Sequence, residues 1–363
     1  EYPMQQGGGN DGRPYSFGRP SSGGSKAAYP CKSYGQGRIN PAYFYGVFDP
    51  NDMRRDVSIT MTGSNGKGVE KLIPFVPNSK AEGGGLTLNK WDENRQANPW
   101  VAAQRKSGIN GPYMRMSEVY LGYAEVCAAL GDVVTGKQYL KTVRERSFPQ
   151  GLANTDAFIA SFGNDLVRAI IEERGFEYAG EGDRRWTLIR SGYLPEDIKR
   201  IKDMTKAMMD GLATKGYYEF ENGNIISAYI WTKLVDAKTI YGHRLTAQCP
   251  TDKVNDPVLY PGWRGQKDNW EEMGLNYGSS TPATNLAIKG LFEIVSEEEA
   301  ASLESQGYTK VNWGIDLVDN RDEYDKYLFW DYDYVSAPIY LWPFTPNVMA
   351  AGGFTNGYGF KQE

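Results

Sequence analysis

A single histidine, His243, is all this chain offers for imidazole chemistry. It sits in Tyr241-Gly242-His243-Arg244, and no Gly-x-Ser-x-Gly turn supplies a nucleophile, so a Ser-His-Asp or Cys-His mechanism has little to rest on. Cysteine is equally sparse. Cys31, Cys127 and Cys249 are odd in number and widely spaced, which excludes a disulfide framework and any close-set metal motif. Cys127 falls in an apolar helical pattern and is expected to be a buried small hydrophobe. No apolar run approaches the ~20 residues needed to cross a bilayer, and no basic-then-apolar leader stands at Glu1. Dense basic runs are missing as well: 40 Lys and Arg face 45 Asp and Glu, which argues against phosphate-driven nucleic-acid binding. No glycine loop follows a strand to cradle a phosphate, and no cofactor is expected.

Aromatic residues, by contrast, are abundant. They make up 13% of the 363 residues, with 25 Tyr and 9 Trp. Such rings in a polar, glycine-rich chain either pack helices or offer flat faces to a ligand. The length suits one large domain or two ordinary ones, with room for a real core.

Residues 1 to about 40 are loop-like, with Gly7-Gly8-Gly9-Asn10-Asp11-Gly12 and Ser21-Ser22-Gly23-Gly24-Ser25 set among Tyr15, Phe17, Tyr29 and Tyr34. Plain linkers are seldom this aromatic, so a ligand-facing loop competes with a linker. Val57 to Met61 alternates in the manner of a short strand. From Tyr113 the pattern turns helical: Met116, Tyr120, Tyr123, Cys127 and Leu130 form one apolar stripe, with Ala124 and Ala128 beside it leaving room for a close neighbour. Gly131 stops that helix, Asp132 caps the next, and Pro149 prevents continuation beyond about Arg146. This helix, tight turn and helix has the layout of a tetratricopeptide unit, which needs stacked neighbours to bury both faces. A third helix is expected from Asn164, as its cap, to about Ala179, burying Leu166, Val167, Ile170 and Ile171. Tyr193 to Val335 reads as long and irregular, rich in Gly, Pro and aromatics.

Three blocks carry a resemblance. They are Arg115-Met-Ser-Glu118-Val-Tyr120-Leu121-Gly-Tyr-Ala124-Glu125, then Leu140-Lys-Thr-Val143-Arg144-Glu-Arg146, then Glu173-Arg174-Gly-Phe-Glu177-Tyr-Ala-Gly-Glu181-Gly182-Asp-Arg184-Arg-Trp186-Thr-Leu188-Ile189-Arg190. In this order and spacing they resemble the SusD/RagB family of surface nutrient-binding lipoproteins from Bacteroidetes. The end, Tyr340-Leu341-Trp342-Pro343-Phe344-Thr345-Pro346 to Asn356-Gly357-Tyr358-Gly359, is similar to that family's closing pattern, and Lys90-Trp91 stands where the family often has Lys before an aromatic. Thr187 departs from a usual Asp and Lys141 from a common Asn, which puts local hydrogen bonds in question.

The resemblance implies a mainly α fold: tetratricopeptide-type helix hairpins with a large irregular loop-rich region, a SusD-like α/α superhelix. It divides the chain into a loop-rich middle segment (1–112), a helical core (113–192) and an insertion with a closing segment (193–363), and it implies a further helical half upstream. It implies capture of a nutrient glycan without catalysis, delivery to a SusC-like TonB-dependent transporter, and an extracellular-facing outer-membrane location through a lipid anchor outside this chain. Two alternatives remain open: a glycoside hydrolase using carboxylates near Glu181 or Asp331, and a scaffold for proteins or peptides.

Paired acids can cleave glycosides when held ~5–10 Å apart. Here Glu172, Glu173, Glu177 and Glu181, like Glu118 and Glu125, interleave with Arg115, Arg174, Arg184, Arg185 and Arg190, which favours structural ion pairs. Asp316, Asp319, Asp322 and Asp325 lack the spacing of a calcium loop and read as a solvated acidic face. The expected ligand residues are two mixtures of rings and hydrogen bonders. The first is Tyr15, Phe17, Arg19, Tyr34, Arg38 and Asn40; the second is Trp263, Trp270 and Asn276, flanked by Tyr260, Arg264, Asp268 and Asn269.

Overall fold

The stretch after Pro41 turns its aromatics inward before any long helix begins. The computed structural model describes residues 39–64, 70–73, 75, 86–91, 112, 114–236, 284–322, 340 and 345–353. A π-helical turn, Tyr43–Val47, buries Phe44 and Tyr45, and Phe48 follows them into the same core. Helix α1 (Met53–Ser58), capped by Asp52, runs through the stretch whose alternation suggests a strand. Only Ile59–Thr60 (β1) is extended, paired antiparallel with Thr87–Leu88 (β4), while Thr62–Ser64 (β2) pairs with Glu70–Leu72 (β3). The Asp52 cap decides that difference, since its carboxylate accepts from Arg54 N–H and commits the following residues to a helix.

The helical hairpin forms as expected, with α2 (Met116–Ala129) and α3 (Val133–Glu145) joined through Gly131 at φ 88° and Asp132 accepting from Thr135 N–H at 3.1 Å. Its inner face is not the expected one. Ser117, Leu121, Ala124 and Cys127 are buried, whereas Met116, Tyr123 and Leu130 are exposed at 60%, 50% and 81%. Small residues win the inside because the helices approach closely: a Cβ on Gly136 of α3 would lie 3.0 Å from the Ala124 carbonyl. A stripe of Tyr and Met could not fit at that spacing.

Helix α4 (Thr155–Ala160) leads to α5 (Leu166–Glu177), whose cap is Asp165 rather than Asn164. Asn164 instead takes the left-handed turn at φ 65° that precedes the cap. Leu121, Leu140, Val143, Leu166 and Ile170 join α2, α3 and α5 into one core. After α6 (Asp183–Ser191), the region read as irregular contains α7, a helix of 22 residues from Leu194 to Lys215. Its inward residues Thr205, Met208, Met209 and Leu212 recur at helical spacing, a period that the overall composition conceals.

Two antiparallel sheets and three helices complete the described chain. Tyr217–Glu219 (β5) pairs with Ile225–Ser227 (β6). Tyr229–Asp236 (β7) is the centre of a three-stranded sheet between Thr284–Lys289 (β8) and Thr309–Asn312 (β9). The remaining helices are α8 (Glu297–Ser305), α9 (Gly314–Asp319) and α10 (Pro346–Gly352). Ile230, Leu286 and Ile288 pin the sheet to the main core with Phe44, Met208 and Trp313, whose indole donates to the Tyr45 hydroxyl at 2.9 Å. The architecture is mainly α. No described helix is long and apolar enough to cross a membrane.

Candidate functional site

Helix α5 carries charge where a helix normally carries leucine. Glu172, Glu173, Arg174 and Glu177 are all buried, and elements distant in sequence converge on them. Glu173 sits between Arg54 of α1 at 2.7 Å and Arg144 of α3 at 3.0 Å. Glu177 accepts from Arg115 at 2.7 Å and Arg54 at 3.2 Å, and pairs with Arg146. Arg115 reaches on to Glu181 at 2.8 Å, where Lys90 also pairs. On the opposite side Arg184 joins Glu172 at 2.8 Å to Asp197 at 3.0 Å, and Arg200 bridges the same two acids. Arg174 binds Glu118 and Asp183 at 2.7 Å each, and Arg190 ties Glu125 to α6.

Arg115, Glu118, Glu125, Glu172, Glu173, Arg174, Glu177, Glu181, Arg184 and Arg190 are among the charged residues that the sequence pattern offers for ion pairing, whereas Arg54, Lys90, Arg144, Arg146, Asp183, Asp197 and Arg200 join them only in the fold. What spacing alone did not reveal is their burial and the reach of the partners. The Lys90-Trp91 pair clamps the end of α5: Lys90 donates to the Glu177 carbonyl at 2.6 Å and Trp91 to that of Gly180 at 3.4 Å. Thr187, in place of an Asp, accepts from Arg174 Nε at 3.2 Å and donates to Asp183 at 2.8 Å, so Asp183 supplies the charge that Thr187 lacks.

The electrostatics run against acid catalysis. Burial alone would raise the Glu177 carboxyl, but hydrogen bonds and the charges of Arg146, Arg54 and Arg115 outweigh it and hold the group at about 2. A general acid needs the opposite shift. Asp197 is likewise lowered, with burial offset by Arg184 and Arg200. Among the described residues no group of acids, cysteines or histidines could hold a metal. Asp316 and Asp319 lie at the ends of the short helix α9, and Asp325 and Asp331 lie outside the described residues, as does His243.

Of the expected ligand residues, only Asn40 is described. Its amide is already committed: Nδ2 donates to Thr205 at 2.9 Å, and Oδ1 accepts from Ala42 N–H at 2.8 Å. Asn40 therefore fastens the start of the π-helical turn to α7, a structural role in place of ligand contact. Tyr15, Phe17, Arg19, Tyr34, Arg38, Trp263, Trp270 and Asn276 lie outside the described residues.

Surface rings do occur elsewhere. Trp186 is 55% exposed on α6, next to Arg185, which donates to the Tyr340 carbonyl at 3.1 Å. On the sheet, Tyr229, Trp231 and Lys233 alternate along one face of β7. Lys310 of β9 lies 4.1 Å from the Tyr229 ring centre, and Lys233 lies 5.8 Å from that of Tyr308. Sequence reading passed over this group, although Tyr229-x-Trp231-x-Lys233 carries a legible period of two.

The chain is 28% identical over 160 residues to SusD-like protein P25 of Formosa agariphila, covering 44% of this chain and 26% of that protein. It thus spans about a quarter of that relative's length. A SusD homolog from Bacteroides thetaiotaomicron matches at 23% identity and a TM-score of 0.31, over 45% of this chain and 33% of the other. A SusD superfamily protein from Bacteroides vulgatus matches at 19% and 0.29, over 47% and 36%. The model of the SusD family matches residues 1–343, and the chain belongs to that family.

Proposed function

We propose that this protein binds a nutrient glycan at the cell surface and passes it to a SusC-like TonB-dependent transporter in the outer membrane, held there by a lipid anchor outside this chain. The observation that carries this reading is membership of the SusD family across residues 1–343. The buried lattice supports the non-catalytic part: Glu172, Glu173 and Glu177 are each engaged by two or more arginines. Binding is by ring stacking and hydrogen bonds, with the rings of Tyr15, Phe17, Tyr34, Trp263 and Trp270 and the polar groups of Arg19, Arg38 and Asn276 as the proposed contacts. Stacking contributes about 1 kcal/mol per ring.

The outward stripe of α2 supports one structural addition. Met116, Val119, Tyr123, Val126 and Leu130 are all exposed and recur at spacings of three and four. That is the seam another helix packs into, and a contiguous apolar surface of this size is seldom left in water. The proposed cover is a helix of the upstream helical half.

Calorimetric titration with a panel of oligosaccharides, run beside a reducing-end assay, tests the reading. Saturable binding without release of new reducing ends is expected. Turnover that disappears in Glu181→Gln would replace it with a hydrolase.

A further inference from the structure

Three lysines meet on one face of the three-stranded sheet. Lys289 of β8 and Lys310 of β9 are both directly opposite Trp231 of β7. Residues opposite each other in an antiparallel pair point to the same side. Lys289, Trp231 and Lys310 therefore form a row across the sheet, with adjacent strands about 4.8 Å apart. Lys233 and Tyr229, two residues either way along β7, extend that face.

These cations differ from five other described lysines. Lys90, Lys137, Lys141, Lys199 and Lys206 each pair with a carboxylate. Among the described residues neither Lys289 nor Lys310 has an anionic partner, and Lys233 donates only to the Gln306 carbonyl at 2.7 Å. The exposed Lys310 rests its ammonium on aromatic faces, 4.1 Å from the Tyr229 centre and 5.8 Å from that of Trp231. Beneath it the buried Trp231 indole N–H has no acceptor. A buried donor left in that state is unfavourable. Lys289 and Lys310 flank Trp231 two strand spacings apart, about 10 Å. The arrangement thus holds positive charge, a half-open ring and an unmet donor in one place, in a chain of net charge −5.

Resting on the glycan-binding reading above, we propose that this face binds an anionic oligosaccharide, with Lys289, Lys310 and Lys233 recognising its acid groups and Tyr229 stacking on a sugar ring. Sulfate esters and uronic carboxylates share the chemistry required, since both present anionic oxygens to an ammonium. An incoming acid draws the Lys310 ammonium off Tyr229 and frees the ring face for the sugar's C–H surface. A neutral sugar offers no such exchange and must compete with a cation–π contact already in place.

Titration of the whole chain at low salt with a sulfated galactan tetrasaccharide, tetragalacturonate, neutral galactotetraose and a short single-stranded DNA tests this. Binding of one or both acidic sugars is expected. It should weaken at least tenfold in Lys289→Gln/Lys310→Gln, fall in the single Lys310→Gln variant, return in the Lys-to-Arg pair, and decline as salt is raised. The melting temperature should stay unchanged, because the replaced side chains lie at the surface. Which acidic sugar binds separates sulfate from carboxylate recognition. Undiminished acidic-sugar binding by folded Lys-to-Gln variants would overturn the proposal, as would equal affinity for galactotetraose or for DNA. Binding of none of the three sugars would remove the glycan reading itself and this inference with it.

Discussion

Helix α5 and the outer side of α2 invert the usual distribution of residues within a few ångströms of each other. The first buries five charged side chains, Arg168, Glu172, Glu173, Arg174 and Glu177, and the second turns five large apolar ones to the surface. The two inversions have different remedies. A buried charge is tolerable where partners surround it, and α5 recruits Arg54, Arg115, Arg144, Arg146, Arg184 and Arg200 for that purpose. Exposed hydrophobes have no remedy within the described residues. With Leu121 and Ala124 inside and Tyr123 and Val126 outside, α2 lacks a polar face on either of those sides. That is the profile of a helix covered on both. Charge on α5 is thus a finished internal structure, whereas the apolar stripe of α2 is half of an interface.

Removing one member of the lattice is the most severe way to break this contrast. Glu173→Ala leaves Arg54 and Arg144 facing each other with their shared carboxylate gone. A loss of about 3–5 kcal/mol is expected, read as a lower midpoint in chemical denaturation. A loss below 1 kcal/mol would mean that water reaches these arginines and that the lattice is not internal.

Acid should dissolve the same structure more gradually. Glu177 is held at about 2 against an ordinary value of 4.5. Its folded-state pKa is depressed, so its contribution is present above pH 4.5 and lost as pH falls toward 2. The shift corresponds to about 3 kcal/mol. Stability measured from pH 6 to 2 should fall on this account, and Glu177→Gln should flatten that part of the curve. An unaltered slope in the variant would assign the acid response to other groups.

The smallest stability effect belongs to the α2 stripe. Tyr123→Lys with Val126→Lys should change the stability of this chain by no more than about 0.5 kcal/mol, since neither ring nor methyls support its core. Binding of a hydrophobic dye and self-association, followed by fluorescence and sedimentation, should both decrease. A large fall in melting temperature would show that residues of this chain already cover the stripe.

Much of the fold was legible because it is local. The Gly131-Asp132 turn, the hairpin, the end of α3 before Pro149 and the helix around Ile170 follow from caps and spacing, which act within a few residues. The charged positions of the lattice were legible too, as a pattern of alternating signs. Misplaced details have local causes of their own: Asp165 competed with Asn164 for one cap, and the helix capped by Asp52 takes Val57 and Ser58, leaving Ile59–Thr60 of the expected strand extended. The sheet face with Tyr229 and Lys310 was not legible. Its residues lie in strands separated by dozens of positions, and only pairing brings them together.

The sequence by itself determined the α2–α3 hairpin with its Gly131-Asp132 turn, the helix around Ile170, family membership and the identities of the charged residues, because each depends on neighbours or on ordered motifs along the chain. Tertiary structure alone decided which side of α2 faces inward, since that depends on how closely Gly136 lets α3 approach. It also decided that Glu173 lies buried between two arginines while Lys289 and Lys310 have no counter-ion among the described residues. Burial and pairing are properties of contacts between distant segments, and one-dimensional spacing does not contain them.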